Sequence, residues 1–266
     1  MIHGETVGCI CVKIRVDDIK LYYESHGKGK PIVFSYGYLE DCSVWDYQVK
    51  HFAKDHAVIL YDHRGHGRSD KPNVGEGNYS VEVLSNDLYA FIGKLNLEKP
   101  TIVGFSLGGM AAIMFALKHS DEISKLVLVG ATAKLTLPMS AKFFGVLKVF
   151  LTYEKFLQIF CKYRFYRPSK QIVHDEFVRA SKVDKSIAFE CWKELTENYD
   201  VRDKVSKIDI PTLIIVGEKD KVNLEASRYL NREIKSSELH IIPDSGHTVM
   251  IEKPEEFNQI LEEFIG

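Results

Sequence analysis

Hydrophobic residues along the chain alternate between short continuous runs and longer stretches with helical spacing. The short runs are rich in β-branched residues, as in strands that are buried on both faces of a parallel sheet; they are 32–34, 57–60, 101–103, 126–129, 213–216 and 239–242. The longer stretches predict helices and comprise 80–95, 106–119, 223–234 and 254–265. This alternation predicts an α/β fold with a mostly parallel, doubly wound sheet and right-handed crossovers.

Local signals refine several of these elements. Residues 8–15 and 19–25 predict two strands joined at Val16-Asp17-Asp18, which form an N-terminal antiparallel hairpin. Ser80, with Glu82 in the first turn, predicts the start of a helix. Pro254 suits the first turn of the last helix because its φ is already fixed near the helical value.

One interval interrupts the alternation of strands and helices. Residues 134–208 contain no convincing buried strand, only amphipathic segments dense in aromatic residues, namely Phe143, Phe144, Phe150, Tyr153, Phe156, Phe160, Tyr163, Phe165, Tyr166, Phe177, Phe189 and Trp192. We expect most of these rings to form the core of the segment and some to face a cleft, because a lid over a site presents apolar surface to it. The sequence therefore predicts a core domain formed by 1–133 and 209–266, with a helical cap inserted at 134–208.

The segment 103–109, Val-Gly-Phe-Ser-Leu-Gly-Gly, contains a Gly-x-Ser-x-Gly pattern between a predicted strand and a predicted helix. A serine on such a sharp turn presents its hydroxyl group above the sheet, in a backbone conformation that L-residues normally avoid. The turn brings the flanking backbones close together, so small residues are needed at Gly104 and Gly108, and Gly109 lets the helix approach the sheet. Ser106 is therefore the candidate nucleophile.

A serine nucleophile needs a base and a group that orients the base. Asp220 follows the run 213–216, and His247 follows the run 239–242. The carboxyl ends of parallel strands meet at one edge of the sheet, where ligands bind in open α/β folds. We therefore expect Ser106, Asp220 and His247 to lie together.

Two other carboxylates compete with Asp220 for this role. Asp244 lies three residues before His247, where we expect it to close a turn. Glu218 lies two residues before Asp220 and is the weaker rival. We favour Asp220.

These motifs together resemble the α/β-hydrolase fold family across nearly the whole chain. The order Ser106, Asp220, His247 is the order of that family. The segments that carry the resemblance are 34–38 (Phe-Ser-Tyr-Gly-Tyr), 62–69 (Asp-His-Arg-Gly-His-Gly-Arg-Ser), 103–109, 217–220 (Gly-Glu-Lys-Asp) and 245–247 (Ser-Gly-His). The resemblance implies a Ser–His–Asp hydrolase with a helical cap between the sixth and seventh strands.

The resemblance also implies roles for individual residues. Ser106 is the nucleophile, His247 the general base and then acid, and Asp220 the group that fixes the imidazole tautomer. The backbone N–H groups of Tyr38 and Leu107 form the oxyanion hole. The chain departs from the family where His-Gly is usual after the third strand and Tyr36-Gly37 stands instead; Gly37 keeps the backbone freedom, but the anchoring of Tyr38 is open.

Several branches of the family fit poorly. A serine at position 106 excludes the haloalkane dehalogenase and epoxide hydrolase branches, which have an aspartate there. The elbow differs from the Gly-Gly-Ser-Trp-Gly of prolyl iminopeptidases, and Thr248 stands where carbon–carbon bond hydrolases usually have tryptophan. We predict a carboxylic-ester hydrolase (carboxylesterase-like) for small to medium, fairly apolar substrates. The alternatives are a lactonase or a cofactor-free haloperoxidase or perhydrolase with the same triad, then a carbon–carbon bond hydrolase or a small-molecule receptor that retains the triad.

Composition and charge limit the partners. The 266-residue chain has a formal net charge of −2 and 45% hydrophobic residues, so neither nucleic acid nor an anionic membrane is expected as a partner. The five cysteines are odd in number and form no C-x-x-C pair, and residues 1–10 lack the apolar core of a signal peptide, so we expect a reduced, cytoplasmic protein. We expect a small-molecule ester as partner and no cofactor, and leave monomer and dimer open.

Two histidines in the 62–69 segment invite comparison with metal sites. His63 and His66 lie three residues apart with no supporting cysteine or carboxylate geometry, so we expect no metal there. In the family this loop is structural, and we expect Asp62 and Arg64 to tie it together.

Overall fold

The computed structural model describes residues 10–75, 77–136 and 152–266. These residues form one eight-stranded sheet in the order β1-β2-β4-β3-β5-β6-β7-β8. The strands are β1 (Ile10–Val16), β2 (Ile19–His26), β3 (Lys30–Ser35), β4 (His56–Tyr61), β5 (Thr101–Phe105), β6 (Lys125–Val129), β7 (Thr212–Gly217) and β8 (Ser237–Ile242). Strands β3 to β8 are parallel, whereas β1 pairs with β2, and β2 with β4, in antiparallel fashion. The predicted fold class is confirmed.

The N-terminal hairpin closes at a tight turn. Val16 pairs with Ile19, so the turn consists of Asp17 and Asp18 alone, and Asp17 has a positive φ of 48°. Aspartate tolerates this left-handed conformation better than most residues because its short side chain can bond locally. The part of the first predicted strand that covers residues 8 and 9 lies outside the described residues.

The apolar runs of β3 to β7 are buried on both faces of the sheet, as their composition predicts, apart from the half-buried Ala57. The run 239–242 differs: it lies in the edge strand β8, where Ile242 is buried but Ile241 is exposed. Along β6, Leu126 and Leu128 pack into the core on one face of the sheet, and Val127 and Val129 pack into the core on the other face. Every residue of β5 and of β7 is buried. The sheet thus lies between two apolar layers, and its carboxyl edge is the surface left for chemistry.

The described residues form nine α-helices. They are α1 (Asp46–Phe52), α2 (Val81–Lys94), α3 (Leu107–His119), α4 (Tyr153–Tyr163), α5 (Lys170–Ser181), α6 (Lys185–Lys193), α7 (Leu224–Glu233), α8 (Val249–Glu252) and α9 (Pro254–Ile265). Ser80 caps α2 by accepting a hydrogen bond from Val83 N at 3.2 Å, and Pro254 lies in the first turn of α9. Both helix starts are therefore as predicted.

Helices α4 to α6 lie between β6 and β7 in the chain. The two segments that connect them to the sheet meet at an isolated bridge between Lys134 and Asp200, whose side chains also form an ion pair at 2.9 Å. Phe143, Phe144 and Phe150 lie outside the described residues. Within the described parts of the chain, no helix combines the length and the apolar character needed to cross a membrane.

Candidate active site

Ser106, His247 and Asp220 form a continuous chain of hydrogen bonds at the carboxyl edge of the sheet. Ser106 follows β5 directly, Asp220 follows β7, and His247 follows β8. The Nε2 atom of His247 lies 3.0 Å from Ser106 Oγ, and its Nδ1 atom lies 2.7 Å from Asp220 Oδ2. The structure thus brings together the three side chains that the sequence singled out.

The conformation of Ser106 is the one that the elbow pattern predicts. Its φ is 50° and its ψ is −113°, a region that costs an L-residue free energy and is kept where the surrounding structure enforces it. A Cβ atom at Gly108 would lie 2.5 Å from Ser35 Oγ. Glycine is therefore required at Gly108, and the serine hydroxyl projects from the sheet.

Asp220 is held as a carboxylate by its neighbours. Its Oδ1 accepts hydrogen bonds from Val222 N at 3.1 Å and Asn223 N at 3.0 Å, and Asn223 Nδ2 lies 3.0 Å from Oδ2. Burial raises the pKa of Asp220, but the charge and hydrogen bond of His247 and the hydrogen bonds from Asn223 outweigh burial, so the pKa lies below its usual range. Asp220 is therefore suited to accept the hydrogen bond of His247 Nδ1–H as a carboxylate.

The rival carboxylates point to other partners. Glu218 is exposed, pairs with Lys219 at 3.1 Å and accepts a hydrogen bond from Asp244 N at 3.3 Å. Asp244 occupies a turn with a φ of 49°, which is the position that we expected for it. Of the three acids, Asp220 is the one that bonds to His247.

The loop after β3 lies against the elbow. Gly108 N donates a hydrogen bond to Tyr36 O at 2.8 Å, and Gly37 N donates one to Glu40 Oε2 at 2.7 Å. Among the described residues, no acceptor bonds to the backbone N–H groups of Tyr38 and Leu107, and both residues line the same cavity as Ser106. Both predicted donors are therefore available to a ligand.

Tyr36, which departs from the family pattern, is anchored by the neighbouring loop. Its hydroxyl oxygen accepts a hydrogen bond from His63 N at 2.7 Å, and its ring stacks on the imidazole of His63 with 4.2 Å between centroids. Burial leaves the Tyr36 side chain with no solvent-accessible surface. The tyrosine therefore fixes the loop through stacking and one hydrogen bond.

A cavity of about 970 Å³ opens above Ser106, within the range of small-molecule sites. As expected, some aromatic residues of the interval 134–208 face this cavity. The aromatic residues that line it are Tyr38, Phe156, Phe160, Tyr163, Phe165, Tyr166 and Trp192. Tyr153, Phe177 and Phe189 are not among the described lining residues. The cavity is mainly apolar, with the triad in its wall.

Sequence reasoning missed two residues that shape the triad. Gly130 has a φ of 51°, and a Cβ atom there would lie 3.0 Å from His247 Nδ1; the glycine makes room for the imidazole. Asn223 donates to Asp220 and lies 3.1 Å from His247 Nδ1. The glycine that directly follows β6 was a visible signal for the first, whereas an asparagine three residues after the acid is no signal without the fold.

The 62–69 loop is held by contacts within it and by contacts with other elements. Asp62 accepts hydrogen bonds from Cys42 N and Arg68 N at 2.9 and 2.8 Å. Arg64 forms a two-point ion pair with Asp87 of α2, with both N–O distances at 2.6 Å. The two residues expected to tie the loop do so, each to a different element.

The two histidines of this loop are buried and have protein partners. His63 Nε2 lies 2.9 Å from Ser35 Oγ, and His66 Nδ1 lies 3.1 Å from Arg64 O. Burial lowers the pKa of His66 to about 4 and that of His63 well below its usual value. Both rings are therefore neutral parts of the loop's packing at neutral pH.

Comparison with known proteins agrees with this geometry. The α/β-hydrolase fold family matches residues 30–159. A bromoperoxidase from Bacillus anthracis is 27% identical and has a TM-score of 0.89, with 96% of this chain and 99% of that chain covered. The esterase EaEST from Exiguobacterium antarcticum is 25% identical and has a TM-score of 0.88, with the same shares covered. The 3-oxoadipate enol-lactonase 2 of Acinetobacter baylyi is 26% identical over 94% of each chain.

The chain belongs to the α/β-hydrolase fold family, in the branch with esterase-, lactonase- and haloperoxidase-like proteins. It is a hydrolase of that family.

Proposed function

We propose that this protein is a serine hydrolase that cleaves carboxylic esters of small to medium, fairly apolar substrates through an acyl-enzyme on Ser106. The observation that carries the proposal is the chain of hydrogen bonds from Ser106 through His247 to Asp220, with distances of 3.0 and 2.7 Å, in the wall of an apolar cavity. A serine, a base and an orienting acid in contact are what acyl transfer requires.

In the first half-reaction, His247 Nε2 takes the proton of Ser106 as Oγ attacks the ester carbonyl carbon. Asp220 accepts the hydrogen bond of Nδ1–H and stabilises the imidazolium that forms. The negative charge moves to the carbonyl oxygen, which the N–H groups of Tyr38 and Leu107 bind. The tetrahedral intermediate collapses as His247 returns the proton to the leaving alkoxide, so the alcohol departs and the acyl group stays on Ser106.

The second half-reaction repeats these roles with water as the nucleophile. His247 removes a proton from water, whose oxygen attacks the acyl carbon, and the oxyanion forms again between the two N–H groups. His247 then protonates Ser106 Oγ as the bond to the acyl carbon breaks. The acid is released and the serine is restored.

The cavity supports an apolar substrate of limited size. Its volume is about 970 Å³, near the upper end of the usual range for small-molecule sites, and its aromatic lining comes mainly from the region between β6 and β7. The division into a core of 1–133 and 209–266 and a cap of 134–208 is part of this proposal. We propose that the cap limits the length of the acyl or alcohol part of the substrate.

A lactone or a peroxide could use the same groups. The similarity to an enol-lactonase and to a bromoperoxidase favours these as second candidates. In a lactone the leaving oxygen stays tethered to the acyl group. In perhydrolysis, peroxide replaces water at the acyl-enzyme and gives a peracid. Neither changes the role proposed for Ser106.

The test is a kinetic profile of the purified protein. p-Nitrophenyl esters from acetate to dodecanoate, a series of γ- and δ-lactones, and peracid formation from acetate and hydrogen peroxide are compared by kcat/KM. We expect the highest kcat/KM on esters of intermediate chain length. Ser106→Ala should lower kcat by about 10⁴-fold or more while leaving the fold intact, since loss of a triad nucleophile removes most of the rate enhancement.

The outcomes separate the candidates. Preference for lactones or efficient peracid formation would replace the ester assignment by one of the second candidates. One acylation event per molecule without steady turnover would favour a receptor. Activity retained by Ser106→Ala would contradict the whole proposal.

A further inference from the structure

Glu40 is a buried carboxylate close to the triad but not part of it. Its side chain has no solvent exposure, and its Oε2 accepts the hydrogen bond of Gly37 N at 2.7 Å. Gly37 directly precedes Tyr38, whose N–H is a proposed oxyanion donor. The carboxylate therefore fixes the direction of the loop at the residue where the oxyanion hole begins.

The counter-ion of Glu40 belongs to the region between β6 and β7. Arg164, at the end of α4, pairs with Glu40 through Nη2 and with Glu176 of α5 through Nη1, the latter at 3.0 Å. Arg179 pairs with the other oxygen of Glu176. These two acids and two arginines form a neutral, mostly buried cluster, in which removal of one charge leaves another without compensation.

The guanidinium group of Arg164 is also enclosed by aromatic rings. Its Cζ lies 5.5 Å from the ring centroid of Phe105 and 5.6 Å from that of Phe160. Phe105 ends β5 and immediately precedes Ser106, whereas Phe160 belongs to α4. The arginine side chain is thus held between the elbow and the cap.

The backbone of the same residue holds the loop that carries the base. His247 N donates a hydrogen bond to Arg164 O at 2.7 Å. Beside it, the carboxylate of Glu252 accepts hydrogen bonds from Gly246 N at 2.8 Å and Tyr166 N at 2.7 Å. The segment 164–166 and the His247 loop are therefore packed backbone to backbone.

Tyr38 makes a second contact between the oxyanion loop and the cap. Its hydroxyl group donates a hydrogen bond to Ala188 O of α6 at 2.7 Å. Its ring lies 5.6 Å from the rings of Phe160 and Trp192. The loop is thus tied to the cap on both sides of its proposed catalytic N–H group.

We propose that Arg164 is a positioning residue. Through it, the geometry of the oxyanion hole and of the general base depends on the cap being packed against the core. The guanidinium group of Arg164 holds Glu40, and through it the peptide that leads to Tyr38, while the carbonyl group of Arg164 holds His247. The inference rests on the proposed function. It gives the cap a role in transition-state stabilisation in addition to shaping the substrate cavity.

The test compares Arg164→Gln with Arg179→Gln. Both variants remove one positive charge from the same cluster, but Arg179 contacts neither the loop of Gly37 nor that of His247 through a hydrogen bond. We expect Arg164→Gln to lower kcat by about 10²–10³-fold, the effect of one oxyanion donor, with KM changed less than about threefold. Arg179→Gln should keep kcat within about fivefold of the wild type.

A transition-state analogue distinguishes positioning from general disruption. A trifluoromethyl ketone forms a tetrahedral adduct with the serine, whose oxyanion occupies the same hole, and the matching methyl ketone serves as the ground-state analogue. Arg164→Gln should lower the affinity for the trifluoromethyl ketone by the same factor as kcat. It should leave the affinity for the methyl ketone nearly unchanged. Arg164→Lys should recover part of both losses because it restores the charge.

Two further variants keep the test decisive if Arg164→Gln does not fold. The double variant Glu40→Gln/Arg164→Gln removes the pair without an unpaired charge, and Tyr38→Phe removes only the bond to Ala188 while keeping the backbone N–H group. Both should lower kcat and trifluoromethyl ketone affinity together, by at least about tenfold for the double variant.

Four results would overturn the inference. Equal losses in Arg164→Gln and Arg179→Gln would assign Arg164 to cap stability alone. A rise in KM with unchanged kcat would assign it to substrate binding. A wild-type protein without steady ester, lactone or peracid turnover would refute the proposed function and this inference with it, whereas normal kcat in folded Arg164→Gln would refute this inference alone.

Discussion

Gly104 and Gly109 face each other across the strand-to-helix turn, so that a Cβ atom at Gly104 would lie 2.6 Å from the Cα atom of Gly109. The three atoms nearest to that added carbon, Gly108 O and the Cα and N atoms of Gly109, are all backbone, which cannot rotate away as a side chain can. The close approach is what allows Ser106 to adopt its positive φ between β5 and α3.

Gly104→Ala should therefore destabilise the protein, by about 1–3 kcal/mol or more, as overpacking of a tight core does. The matched control is Gly93→Ala in α2, where an added Cβ meets nothing within 4 Å. That variant should be stabilised by about 0.5–1 kcal/mol, because alanine loses less backbone entropy in a helix. Urea unfolding measures both free energies; similar values for the two variants would contradict the packing argument.

Asp220→Asn should lower kcat by about 10⁴-fold, because an amide opposite Nδ1 stabilises the wrong imidazole tautomer. The fold should survive, since asparagine keeps the shape of the side chain. Glu218→Gln and Asp244→Asn are the controls, as both acids lie close in sequence and neither bonds to His247 in the described structure. Steady-state kinetics should leave them within about twofold of the wild type; a large loss in Glu218→Gln would reassign the acid.

Trp192→Ala should shift ester preference towards longer acyl chains. The indole lines the cavity next to Tyr38, and its removal makes room for further methylene groups, each worth about 0.8 kcal/mol or roughly a fourfold gain when buried. The ratio of kcat/KM for octanoate and butyrate esters measures this. The control is Tyr47→Ala, at an exposed position on α1, which should leave the ratio unchanged. An unchanged ratio in Trp192→Ala would mean that the acyl group binds elsewhere in the cavity.

Acid should weaken the fold through His66. Burial lowers its pKa from 6.5 to about 4, so between these values the unfolded chain binds the proton more strongly than the folded one. The contribution of the neutral imidazole is complete above pH 6.5 and is lost as pH falls towards 4, by about 3 kcal/mol in total. Free energies of unfolding measured across this range should fall more steeply in the wild type than in His66→Asn.

The asparagine in this variant can still donate to Arg64 O, the acceptor that His66 Nδ1 uses, but it does not titrate. The comparison therefore separates the effect of protonating His66 from the effect of losing its hydrogen bond. Parallel curves for the two proteins would mean that His66 is not buried as described.

The sequence predicted elements well where one local pattern decided the structure. The apolar runs became β3 to β8. In β3 to β7 they are nearly continuous because a strand buried on both faces has few polar positions to interrupt it, whereas β8 is a partly exposed edge strand. Helix α1 was not predicted: its buried residues are Gln48 and Phe52, so it has no apolar stripe of helical period. The buried amide group of Gln48 donates hydrogen bonds to Met250 O and Asn258 Oδ1 at 3.2 and 3.0 Å. Both acceptors lie near the far end of the chain, so the burial of Gln48 depends on the fold.

Much of the candidate site was likewise visible in the sequence. Ser106, Asp220 and His247 each follow a strand, and parallel strands bring their carboxyl ends to one edge, so local pattern and topology sufficed to bring them together. The orientation of Asp220 depends on a 3.0 Å contact with Asn223 in the same segment, and the room for His247 depends on Gly130, which lies in a different loop. No spacing in the chain encodes such distances.

The sequence by itself determined the strand and helix order, the elbow at Ser106 and the choice of Asp220 and His247, because each depends on residues that are neighbours or on the direction of a parallel sheet. The tertiary structure decided which charges meet. Arg64 pairs with Asp87 of α2 and not with Asp62, and Arg164 pairs with Glu40. Such pairs join residues from distant parts of the chain, and a buried charge is stable only beside the partner that packing brings to it.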